Sequence, residues 1–137
     1  MISELNSKMS APVRGKSPAT MSEATRACLY AVVDRFNTDE PFWGAFIPVA
    51  DLTEIGDDYF SAAFHSRDLR LTVRGSLVRG IGETASIVPS LVVGATHIGE
   101  EPKPLHWHHV DCAVGDDGKF VTSNFRSAIE SAIADLT

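Results

Sequence analysis

Asp68-Leu69-Arg70-Leu71-Thr72-Val73-Arg74 is the stretch whose reading decides the fold. Successive side chains of an extended chain point to opposite faces. Leu69, Leu71 and Val73 therefore share one face, and Arg70, Thr72 and Arg74 share the other. Alternation sustained over this length predicts a strand with one buried and one wet face, the pattern of an antiparallel sheet.

Working outward from this strand, Tyr59 to His65 reads equally as a strand or a helical turn, and Asp51 to Asp58 is an acidic turn region. Phe42 to Val49 is apolar and aromatic and predicts a short strand. Pro48 puts it at an edge or a strand end, because proline has no N–H to give to a ladder. On the other side, Gly75, Gly80 and Gly82 predict bulges or a turn as the chain runs to Ile81. Ile87 to Ile98 predicts another strand, interrupted by Pro89. Gly99 to Pro104 is a loop, and Leu105 to Val114 predicts the last strand, closed by Gly115-Asp116-Asp117-Gly118.

Both ends of this β region read as helices. Thr20 and Glu23 have capping-box spacing, and Ala24, Ala27, Cys28, Ala31, Val32 and Phe36 then follow at helical intervals. Pro41 ends that helix by disfavouring helical geometry in the residue before it. At the C-terminus Ser123 is placed as N-cap, ahead of an apolar stripe of Phe125, Ala128, Ile129, Ala132, Ile133 and Leu136. The order helix, strands, helix predicts an α+β domain: an antiparallel sheet of about four to six strands with both terminal helices packed on it.

A chain of 137 residues is one domain by length. Residues 1–19 carry Lys8, Arg14 and Lys16 with little apolar periodicity. They form a tail expected to be flexible when free or ordered by docking on a partner, leaving 20–137 as the single folded domain. A net charge of -6 makes nucleic acid an unlikely partner. No apolar run approaches the roughly 20 residues of a membrane span, and no secretory signal is visible at the N-terminus. Cys28 and Cys112 lie far apart within apolar patterns, so free buried thiols and a cytoplasmic location are expected.

Chemistry concentrates in one place. His97 precedes the 99–104 loop, and His106-Trp107-His108-His109 follows it. If Ile98 pairs with Leu105, then Leu91 faces Cys112, Val93 faces Val110, Ala95 faces His108 and His97 faces His106. In that register His97, His106 and His108 share one face, with His109 on the other. Three neutral imidazoles plus water would suit zinc or another divalent metal in a small hydrolase or lyase. A shift of one residue breaks the cluster, since it flips every side chain.

The remaining candidates are surfaces. Arg70 and Arg74 share a strand face at a spacing that suits an acidic partner, and the acidic 34–58 segment supplies charge of opposite sign. Trp43 and Phe46 beside Gly44 are candidates for an aromatic interface anchor. The leading expectation is a non-catalytic protein-binding subunit or adaptor in an oligomer or larger assembly, with no cofactor. Its partner would be another protein or a second copy. The three-histidine metal enzyme is the alternative.

Overall fold

The computed structural model describes residues 20–38, 46–79, 87–100, 103–114 and 119–136. Trp43 and the 1–19 tail lie outside these residues. Helix α1 spans Met21–Thr38. Strands β1 (Ile47–Pro48), β2 (Glu54–Ile55), β3 (Tyr59–Ser66), β4 (Leu69–Arg79), β5 (Ile87–His97) and β6 (His108–Val110) follow. A two-stranded hairpin of β7 (Cys112–Val114) and β8 (Phe120–Thr122) leads into helix α2 (Phe125–Ala134). The main sheet is antiparallel, in the order β1-β3-β4-β5-β6, with β2 also pairing to β3. The architecture is α+β, as the alternation predicts.

The capping box at the start of α1 is formed in full. The Thr20 N–H donates to Glu23 Oε1 at 3.0 Å, and the Glu23 N–H donates to Thr20 Oγ1 at 3.1 Å. Two N–H groups that lack an intrahelical acceptor are thereby satisfied. Ala24, Cys28, Val32 and Phe36 are buried along one stripe of the helix. Thr25 is buried too, and its hydroxyl lies 2.8 Å from the Asp57 carbonyl, tying α1 to the turn before β3.

Tyr59–Ser66 is a strand, its ambiguity removed by pairing along its whole length with β4. The connection is only Arg67-Asp68, and Arg67 enters the left-handed region at φ 55° to close it. β4 does not bend at Gly75 but runs on to Arg79. Gly75 serves packing instead: a Cβ there would come within 2.3 Å of Phe60 and 2.7 Å of Leu91. Gly80 and Gly82 lie outside the described residues. Pro89 does not interrupt β5 either. β6 pairs only with Leu91 to Val93, so at Pro89 the strand has a ladder partner in this sheet on one side alone, where a missing N–H is tolerated.

The predicted final strand, Leu105 to Val114, is broken in two. β6 ends at Val110 and β7 begins at Cys112. Asn124 holds the break open: its Oδ1 accepts the Asp111 N–H, and its Nδ2 donates to the His109 carbonyl at 3.1 Å. The N-cap of α2 is therefore Asn124 rather than Ser123, and its side chain is spent on this segment instead of the helix amides.

Phe60, Phe64, Leu71, Val73, Leu91, Val93 and Val110 form the buried face of the sheet, and both helices lie on it. Phe36 of α1 stacks on Phe64 with centroids 4.1 Å apart and meets the edge of Phe125 of α2 at 5.1 Å. Thr20→Ala should destabilise the fold by about 1 kcal/mol through loss of the cap. Gly75→Val should cost about 1–3 kcal/mol, because the buried Phe60 and Leu91 side chains would have to shift to admit it. Urea midpoints at unchanged m-value check both.

Candidate functional site

Among the described residues, both helices lie on one side of the sheet and none lies on the other. Antiparallel register arranges that second side in rows. Ser61, Arg74, Val92 and His109 lie side by side across β3 to β6, with Tyr59, Ser76 and Ser90 in the next row. Val78 and Val88 follow as a cross-strand pair, both exposed. A concavity of about 410 Å³ opens between Glu54, Tyr59, Ser61, Arg74, Ser76 and Ser90. One guanidinium, one carboxylate, a phenol and three hydroxyls line it, which suits a polar or anionic group set against an aromatic wall.

Part of this side is roofed by the chain itself. Gly94 lets the 103–107 segment lie flat on the sheet, since a Cβ there would meet the Pro104 ring at 2.5 Å and the His106 carbonyl at 3.1 Å. The same segment carries Trp107 to the border of the open part. There the Arg74 guanidinium lies 4.7 Å from the indole centroid. A cation–π contact of this kind restrains a long side chain that would otherwise sample many rotamers.

Arg70 also lies on the helix-free side, directly opposite His65. Its Nε–H donates to His65 Nε2 at 3.1 Å, which requires a lone pair on that nitrogen and so a neutral imidazole. Burial, together with the Arg70 charge, holds His65 below the usual imidazole range. Arg70 and Arg74 thus share the face that alternation gives them, each oriented by an aromatic neighbour that sequence spacing does not reveal.

The histidines are not gathered as the proposed register requires. β5 and β6 pair Leu91 with Val110 and Val93 with His108, two residues out of the predicted alignment. An even slip preserves faces, so His108 still points to the helix side, but it sits opposite Val93 rather than Ala95. His106 falls before the strand begins and is exposed. His97 stays at the end of β5, with Nδ1 3.7 Å from Asp68 Oδ2. His108 pairs with Asp135 beyond α2, Nε2 to Oδ2 at 2.7 Å, and His109 lies 3.4 Å from Asp111. Each of these three lies beside a different carboxylate. Among the described residues no group of three or more His, Cys, Asp or Glu side chains is placed to hold a metal ion.

Phe46 is not an exposed anchor: it is buried, with its ring 6.0 Å from Phe36. On the sheet side away from the helices the aromatic residues presented are instead exposed Tyr59 and the half-buried Trp107. Nothing in the sequence places Trp107 beside Arg74. No helix of the described residues is long and apolar enough to cross a membrane. Comparison with protein families, curated proteins and solved structures finds no match.

His65 gives the site a pH signature. Below about pH 6.5 the unfolded chain takes up a proton at this position before the folded one does, so stability falls as the pH drops through that range. His65→Gln keeps an acceptor for Arg70 and removes the titration. Its stability curve should decline less than that of the wild type on acidification, measured by urea denaturation across the pH series; parallel curves would exclude the assignment.

Proposed function

We propose that this protein is a non-catalytic binding subunit of a larger assembly, and that the helix-free side of its sheet is the recognition surface. The observation that carries this reading is the Arg74–Trp107 pair beside exposed Tyr59. Arg, Trp and Tyr are the side chains that most often dominate protein interfaces. Here an arginine is already held in place, so little of its freedom remains to be lost on binding.

Charge selects the class of partner. The chain as a whole is acidic at -6, yet this side carries Arg70 and Arg74 against Glu54 in its rows. An acidic segment of another protein fits it: a carboxylate on Arg74, a polar backbone over Ser61, Ser76 and Ser90, and apolar side chains on Val78 and Val88. β-Augmentation is the less suitable mode, since the contacts lie on the face of the sheet and not along an edge. The free state of Cys28 and Cys112 favours the cytoplasm as the place of action.

Affinity capture from the native source, followed by direct titration of the captured partner, tests the reading. Arg74→Glu should weaken binding by about 2 kcal/mol, roughly thirtyfold, while leaving the melting temperature near that of the wild type. Gly94→Val, which unseats Pro104 and with it Trp107, should weaken binding as well. Equal binding by wild type and both variants, or a wild-type chain that remains a lone monomer in its native extract, would overturn it.

A further inference from the structure

Cys28 and Cys112 are separated by most of the chain, yet the fold brings them together. Cys28 faces the core from α1 and is 1% exposed, whereas Cys112 is half-buried on β7 and packs against the same apolar cluster. β7 pairs Cys112 with Thr122 of β8, and β8 lies against α1, so the hairpin is what carries Cys112 to the helix. The two thiols are close enough that each is the foremost influence on the other's ionisation. We propose that Cys28 and Cys112 form a reversible disulfide, written by a peroxide and erased by a dithiol, that fastens α1 to the β7–β8 hairpin.

The two thiols are unequal in a way that orders the steps. Their shared hydrogen bond keeps Cys28 protonated, far above the ordinary thiol range, with burial acting in the same direction. The same bond favours the thiolate of Cys112, overriding an opposing desolvation. Cys112 is also the more exposed of the two. Its thiolate attacks one peroxide oxygen; an S–O bond forms, the O–O bond breaks, and the departing hydroxide takes a proton to leave as water. The Cys28 sulfur then attacks the Cys112 sulfenic acid, giving up its proton as the S–O bond breaks and a second water leaves. Two thiols are oxidised by two electrons and one peroxide is reduced to two waters. To bond, the sulfurs must close to about 2.05 Å. An external dithiol reverses the bond by exchange.

This proposal is independent of the partner-binding reading, and its test needs no partner. The full chain, fully reduced, is treated with hydrogen peroxide and followed by intact mass, non-reducing electrophoresis and peptide mapping. The expected product is a monomer lighter by two hydrogen atoms, with no alkylatable thiol and one cross-linked peptide pair containing Cys28 and Cys112; dithiothreitol restores the starting mass. Cys28→Ser should trap Cys112 as a sulfenic acid, seen as the gain of one oxygen and reaction with a 1,3-dione. Cys112→Ser should slow peroxide consumption by tenfold or more. Should the buried serine prevent folding, the wild-type peptide map decides the matter alone. Cross-links only between molecules, or sulfinic and sulfonic acids without the internal cross-link, would overturn the proposal.

Discussion

The contact between Phe36, Phe64 and Phe125 is the constraint on which the rest of the structure depends. It joins α1, the sheet and α2 in a single apolar junction, stacked on one side and edge-on at the other. Aromatic rings bury more surface per residue than other side chains and add a geometric preference of their own. Both helices are thereby drawn to the same side of the sheet. Among the described residues between them, the 103–107 segment is what lies on the other side, at Gly94.

That asymmetry shapes every later feature. On the helix side, glycine at 75 is required because Phe60 and Leu91 fill the volume its side chain would take. On the open side, glycine at 94 is required for a different reason: Pro104 must lie on the sheet for Trp107 to reach Arg74. The polar rows on this side are stable because Ser61, Ser76 and Ser90 remain near water, where a hydroxyl carries no desolvation penalty. The break at Asp111 turns the chain away from the sheet edge and into the β7–β8 hairpin, which closes on α1 and brings Cys112 to Cys28. Asn124 makes that turn possible by satisfying two backbone groups left without ladder partners.

Much of the fold was legible in the residues. Alternation from Leu69 to Val73, the capping box at Thr20 and Glu23, and the stripe from Phe125 to Ala132 are local patterns with local causes, and each appears in the structure where the pattern puts it. The histidine register was not legible. A hairpin closed through a six-residue loop can align in several even-numbered ways that keep the same faces buried, and hydrophobic patterning does not distinguish among them. Phe46 was misjudged because a short aromatic run has no periodicity to show which ring faces inward. Pro89 and Gly75 lost their expected effects to tertiary context: one lies where β6 does not reach, and the other where two large side chains meet.

By itself, then, the sequence determined the two helices, strands β4 and β5, the α+β class, and which faces of β4 and β5 are apolar. Those are consequences of period, propensity and capping, which act over a few residues. The tertiary structure alone decided that Arg74 rests on Trp107, that His97, His106 and His108 form no joint cluster, and that two distant thiols are neighbours. Each of these depends on where non-local segments come to rest, and that is set by how Phe36, Phe64 and Phe125 pack together rather than by any neighbouring residues in the chain.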